Sequence, residues 1–412
     1  MTAAPSPSAA EIPVIELDPA AADHHGEAAR LRAAGPVVRV VLPGGVRAWA
    51  VTTHALVDEL VRHPDVSKDY RNWTAVKTGE LADDNPIIGM IKVDNLVTAD
   101  GAEHTRLRRP IVGQFTRRRV QDMVPAITAA AAALADALPA SEVVDLRAHF
   151  AARLPLQVIC ELLGVPDDQR ARLRHLVDAI FRTDTTAEEV VQVQAEIPRL
   201  LGDLIQARSA APGDDLTSAL IGVHAADPAA LSAEELAGTL WVLLTAGHET
   251  TISLISNAVR AMLTHPDQLE AALAAPEDPW LAVVAETLRW DAPIGNFPAR
   301  YPLRDLTLGG VTIPAGDAII APYTAVNRDP AQHGPDADRF DHTRAQRGDL
   351  AFGAGRHNCP GSHLAETEAR IALAVLFERY PKMALAVPAE DLPPVPSLFT
   401  NSVAALPVRL NP

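Results

Sequence analysis

Three short segments of the chain bring together residue types that can do chemistry. The first is Phe352-Gly353-Ala354-Gly355-Arg356-His357-Asn358-Cys359-Pro360-Gly361, followed by a helical pattern through Leu364, Ile371 and Val375. A cysteine just ahead of a helix has its thiolate favoured by the helix N-terminus and by nearby N–H donors. The glycines let the backbone approach a bulky ligand, and Pro360 suits a first helical position. The second is His248-Glu249-Thr250-Thr251, an acid next to a hydroxyl. The third is Glu286-x-x-Arg289 in the apolar run Leu281 to Trp290. On a surface such a pair is worth only about 0.2 to 0.5 kcal/mol, whereas in a buried setting loss of one partner costs about 3 to 5 kcal/mol.

The cysteine loop admits four readings. A phosphate loop is weak, because the lysine and the glycine spacing it needs are missing. His357, Cys359 and His363 could hold zinc or copper, although their spacing fits no common frame. A cysteine nucleophile needs a paired base that the sequence does not place. A single axial thiolate to a haem iron accounts for the glycines, the phenylalanine and the following helix together. His248 has no second histidine four residues on, so the zinc-protease pattern fails. Ala246, Thr250, Ser253 and Asn257 share one helix face, and Ala246-Gly247 keeps it flat enough for a planar ligand. The bland alternative is a polar patch against a neighbouring helix. Thr250 can bond back to the Ala246 carbonyl and open the helix locally.

These segments need a frame. Ser232 and Glu235 form a capping box, and the pattern then runs unbroken to His265-Pro266, a span of about 50 Å at 1.5 Å per residue. Leu236 to Gly247 and Thr250 to Val259 carry no charge, so the helix is buried and crosses the domain. Hairpin signals stand at Pro43-Gly44-Gly45 and Gly309-Gly310, with mostly helical patterning between them. No linker divides the 412 residues, which read as one domain, 1–412, with residues 1–30 a loose arm and the tail from Pro388 an ordered loop and strand. Forty-eight percent hydrophobic residues fill a large, mainly aliphatic core. The net charge of −16 argues against a nucleic-acid partner. Two cysteines, Cys160 and Cys359, exclude a disulfide framework and suit a cytoplasmic home, and Cys160 reads as a small core residue. No stretch has the roughly 20 apolar residues of a membrane span, and no signal peptide is visible.

Taken together and in this order, the three segments resemble the cytochrome P450 family, whose marks are A-G-x-[DE]-T-[TS], E-x-x-R and F-G-x-G-x-H-x-C-x-G. The likeness runs from about residue 30 to the C-terminus, and its finer detail is to actinomycete members that hydroxylate steroids. It implies a mainly α fold with a smaller β region and a long central helix over a haem b. It implies that Cys359 is the proximal iron ligand, that Phe352, Gly353 and Gly361 shape its loop, and that Ala246 and Gly247 lie over the haem. Glu249 and Thr250 become the distal acid-alcohol pair, and Glu286, Arg289 and Arg339 a structural triad. His104, Arg108, Arg300 and His357 become partners of the haem propionates. Two departures stand out: Pro110 and Gly113 interrupt what the family makes a helix, and Glu366 replaces a usual arginine.

The function so implied is a monooxygenase, a monomer in this reading, that uses dioxygen and two electrons from a ferredoxin and ferredoxin reductase to hydroxylate an apolar small molecule such as a steroid. Oxidative tailoring or coupling of a natural product, such as a cyclic dipeptide or polyketide, is the rival within the family. A non-catalytic haem carrier or sensor is the rival outside it. Asn72, Trp73, Asn296, Phe297, Phe399 and Asn401 are the expected substrate contacts, apolar walls with a few amides. Arg106, Arg108, Arg109, Arg117, Arg118 and Arg119 form a basic patch that an acidic ferredoxin would seek.

Overall fold

The Ser232 hydroxyl accepts the Glu235 N–H and the Glu235 carboxylate accepts the Ser232 N–H, so the capping box is complete. The helix it starts runs from Ala233 to Thr264 and stops at His265, ahead of Pro266. The computed structural model describes residues 12–412 except 86, 140–141 and 346–347. Ile255, Ala258, Val259 and Met262 of this central helix are wholly buried. Helices Arg153–Leu163, Trp280–Trp290 and Ser362–Arg379 pack around it and share one apolar core with it. Truncating such a side chain to alanine costs about 2 to 5 kcal/mol. The fold is mainly α with a smaller β region, as expected. Among the described residues no helix is long and apolar enough to cross a membrane.

The larger sheet has the strand order Val14–Glu16, Val37–Val41, Arg47–Val51, Ile319–Pro322, Asn296–Pro302, Val66–Ser67. Both hairpins form where glycines permit them; Gly309 and Gly310 have φ of +56° and +82°, the backbone of a tight primed turn. An irregularity in one strand matters for the site. Phe297 pairs with Ala321 but Arg300 pairs with Ile319, so three steps on one strand face two on the other. The extra residue is a bulge, and it turns Phe297 and Arg300 toward one another. The Arg300 guanidinium carbon lies 5.2 Å from the Phe297 ring centroid.

Two expectations are corrected. Residues 1–11 lie outside the described residues, but the rest of the supposed loose arm is built in. Val14–Glu16 pairs in parallel with the second strand, and helix His24–Ala34 buries Ala28 and Leu31. Pro13 offers no obstacle because it precedes an edge strand. Nor does Pro110 break its helix, which runs continuously from Gly101 to Val112. The proline gives up the one bond its nitrogen would make to the Arg106 carbonyl, but its fixed φ is helical and the helix carries on to Val112.

Candidate active site

Cys359 and Thr250 line the same cavity from opposite elements, the cysteine from the loop ahead of helix Ser362–Arg379 and the threonine from the central helix. The loop is closed by the Cys359 N–H donating to the Phe352 carbonyl at 2.9 Å. Gly353 and Gly355 hold φ of +68° and +69°, and a Cβ on Gly355 would come within 3.0 Å of the Val61 carbonyl. Burial pushes the Cys359 thiol up, while the Gly361 N–H and the Arg108 charge pull it down. Cys160 is buried in the helical core outside this cavity, its thiol pushed by burial to about 12.

The Thr250 hydroxyl donates to the Ala246 carbonyl at 2.6 Å, yet the helix continues without a break. Ala246 and Gly247 line the cavity, but the missing Gly247 side chain faces Ile159, whose Cδ1 would lie 2.9 Å from a Cβ there. The acid beside Thr250 is placed differently. Glu249 is buried on another helix face and accepts from Arg147 Nη2 at 2.8 Å, so it does not line the cavity. Adjacent residues on a helix cannot share a face, which is why the pair divides. Neither its Oε2 nor Arg147 Nη1 makes a hydrogen bond among the described residues. Asp178, from helix Arg170–Phe181, completes the group, its carboxyl pushed to about 6 by burial and by the Glu249 charge. His248 is held neutral by burial, its value near 3.

The cationic candidates gather at one edge. Arg108 lines the cavity and donates through Nη2 to the Asn358 carbonyl at 2.7 Å. The His104 and His357 rings lie with centroids 4.2 Å apart, tilted at 51° to each other. His104 Nε2 is buried and makes no hydrogen bond among the described residues, His357 Nε2 lies 3.9 Å from Asp100 Oδ1, and the buried Arg300 guanidinium and Tyr323 hydroxyl act on one another. Lys68 was missed in the sequence, since a lysine in Ser67-Lys68-Asp69 carries no pattern. It lines the cavity, its Nζ lies 4.6 Å from the Phe297 ring centroid, and burial lowers its ammonium well below the ordinary range. Glu368 also lines the cavity; burial raises its carboxyl well above the usual value, and Oε2 makes no hydrogen bond among the described residues.

The triad needs a correction. Arg289 grips Glu286 through Nε and Nη2 at 2.8 and 2.7 Å, and the third arginine is Arg344, whose Nε lies 3.5 Å from Glu286 Oε1. Arg339 contributes only its carbonyl, which accepts from Arg289 Nη2, while the residue itself is exposed. The substrate set is corrected too, because only Phe297 of the six reaches the cavity. Trp73 stacks on Tyr301, and Phe399 lies in the core beside the sheet. The three amides direct their Nδ2 groups elsewhere: Asn72 to Ser67, Asn296 to the Leu398 carbonyl, Asn401 to Asp291 and the Ala292 carbonyl.

Residues 281–400 match the family model for cytochrome P450. The chain is 39% identical to 2-hydroxy-5-methyl-1-naphthoate 7-hydroxylase of Streptomyces carzinostaticus, over 96% of this chain and 97% of that one. The chain belongs to the cytochrome P450 family. The vitamin D(3) 25-hydroxylase of Pseudonocardia autotrophica is also 39% identical, with 94% of each P450 chain covered. Testosterone-bound CYP154C4 from Streptomyces sp. ATCC 11861 superposes with a TM-score of 0.94 at 42% identity, over 97% of this chain and 99% of that one. The protein is therefore a cytochrome P450 monooxygenase, a haem-thiolate enzyme using haem b. The residues present fit that group: a thiol in the cavity wall faces the central helix, Lys68, Arg108 and His357 line the same wall, and buried His104 and Arg300 adjoin them, a donor set suited to the acidic side chains of a porphyrin. Glu366 departs from the family's usual arginine, and burial raises its carboxyl while the Arg117 charge lowers it.

Proposed function

We propose that this P450 hydroxylates a C–H bond of an apolar, multi-ring small molecule of the steroid class. The observation that carries this reading is the cavity wall between the central helix and the Cys359 loop, formed by side chains such as Met90, Val93, Leu96, Ile180, Phe181 and Ile294. Such a wall offers burial to hydrocarbon and little compensation to a charged ligand. The steroid-type ligands in the names of two relatives support the same class.

In this reading Cys359 supplies the thiolate ligand, and His104, Arg108, Arg300 and His357 hold the propionates, with Lys68 beside them. When bound, the haem activates dioxygen for transfer of one oxygen atom to a C–H bond. Thr250 holds a proton at its hydroxyl on the cavity wall, and Glu249, ion-paired to Arg147 on another face of the helix, takes no direct part at that wall. The apolar wall keeps bulk water from the reacting carbon. Electrons arrive from an acidic ferredoxin served by its reductase, on the face carrying Arg109, Arg117, Arg118 and Arg119. These four are exposed, whereas Arg106 is paired with Glu235 and Arg108 lines the cavity. Phe115, two residues before Arg117, stands 3.8 Å from where a Cβ on Gly361 would be, so the patch lies on the cysteine side.

The test is a panel of steroids, macrolides and cyclic dipeptides, read by the Soret shift on binding and by product analysis with a surrogate ferredoxin. Steroid hydroxylation supports the reading. Coupling of a cyclic dipeptide, or oxidation of a macrolide alone, replaces it with natural-product tailoring. No shift and no product from any class returns the protein to a carrier or sensor.

A further inference from the structure

Among the side-chain amides near the site, Asn95 stands apart. Asn72, Asn296 and Asn401 direct their Nδ2 groups to other parts of the protein. Asn95 lines the cavity while being only 6% exposed, and its Oδ1 accepts the Val97 N–H at 2.9 Å. That bond fixes which end of the amide is oxygen. Nδ2 has no partner among the described residues, so a donor is left beside the apolar side chains of Met90, Val93, Leu96 and Val97.

Its position is fixed by a close approach. A Cβ on Gly238 would lie 2.6 Å from the Asp94 carbonyl and 3.3 Å from Asn95 Cβ, so only glycine lets this loop settle on the central helix. One turn along, Trp241 lines the same end of the cavity, and its indole N–H also has no partner among the described residues. Thr245, a further turn along, spends its hydroxyl on the Trp241 carbonyl at 2.9 Å. Gly238 precedes Thr250 by 12 residues, which is about 18 Å along the helix axis. The two ends of the cavity thus differ, one offering the Asn95 and Trp241 N–H donors and the other holding Thr250 and Cys359.

We propose that Asn95 is the specificity-determining residue of the cavity, donating from Nδ2 to a carbonyl oxygen at the far end of an elongated substrate. The inference rests on the reading of an apolar, multi-ring substrate and adds which polar group that substrate carries. A donor facing hydrocarbon gains nothing, and a donor meeting a ketone recovers a hydrogen bond in a water-poor setting. The wall therefore selects ketones over the parent hydrocarbon and orients them, with the carbonyl at Asn95 and the opposite end toward Thr250.

The test is spectral titration of the holoenzyme with 5α-androstan-3-one, 5α-androstan-17-one and 5α-androstane. The wild type is expected to bind at least one ketone about tenfold more tightly than the hydrocarbon. Asn95→Leu removes the donor. Asn95→Asp, titrated at pH 8, keeps an oxygen for the Val97 N–H and so keeps the loop. Both variants are expected to lose the preference, read as the ratio of ketone to hydrocarbon affinity within the same protein. Ketone preference that survives in both, with binding intact, overturns the role of Asn95 and leaves the substrate class standing. Preference lost in Trp241→Phe but not in Asn95→Asp assigns the contact to the indole and overturns it equally. A wild type that responds to none of the three ligands removes the steroid reading and this inference with it.

Discussion

Arg147 Nη2 lies 2.8 Å from Glu249 Oε1, and this ion pair holds the carboxylate away from the cavity that its neighbour Thr250 lines. The two residues are therefore separable by mutation. Thr250→Val should leave haem content and substrate affinity unchanged while diverting reducing equivalents into hydrogen peroxide. Arg147→Met should instead strand a buried charge and cost about 3 to 5 kcal/mol in urea unfolding, and Glu249→Gln on that background should recover most of it. Unchanged coupling of electron use to product in Thr250→Val would remove the threonine from proton delivery.

The Glu286 cluster separates two arginines that sequence alone confuses. Arg344 touches Glu286 and Asp336 with its side chain, whereas Arg339 lends only a main-chain carbonyl. Arg344→Ala should lower stability by about 1 to 3 kcal/mol, because a charged hydrogen-bonding partner is lost. Arg339→Ala should fall within about 0.5 kcal/mol of wild type. Equal losses would contradict the geometry.

This contrast shows what the residues reveal before folding is known. The central helix was legible end to end because its signals are local: a capping box at Ser232 and a proline after His265. The cysteine loop was legible for the same reason, since glycine, cysteine and the following helix are consecutive. Arg147 was not, because its partner is 102 residues away and no periodicity links them. The amides misled because composition cannot tell an asparagine facing a ligand from one facing a carbonyl. Asn296 and Asn401 do the latter. Asn95 was hidden by its setting in Val93-Asp-Asn-Leu-Val97, a plain loop until it meets Gly238.

Electron delivery should depend on the exposed arginines. Reversing Arg117 and Arg118 to glutamate should slow the first electron transfer from an acidic ferredoxin by roughly tenfold at low salt, and the gap should narrow as ionic strength rises. Stopped-flow reduction under anaerobic conditions measures this. A rate indifferent to charge and salt would return the patch to a solvated surface.

Acid stability should be linked to His24. Its Nε2 faces the Ser397 and Thr400 carbonyls at 3.0 and 2.9 Å, and burial lowers its value from 6.5 to about 4. A folded value below the unfolded one means that the stability is full above pH 6.5 and is lost as pH falls toward 4. The loss amounts to about 3 kcal/mol. His24→Gln should flatten the dependence of unfolding free energy on pH across this window. Parallel curves for the two proteins would contradict the assignment.

The central claim is that Cys359 alone supplies the thiolate. The measurement is the absorption spectrum of the dithionite-reduced protein with carbon monoxide, for wild type, Cys359→Ser and Cys160→Ser. Cys359 lines the cavity and Cys160 is enclosed in the helical core. The account predicts the red-shifted Soret band of a thiolate haem in wild type and Cys160→Ser, and its loss in Cys359→Ser. A band that survives in Cys359→Ser, or disappears in Cys160→Ser with haem still bound, would contradict it.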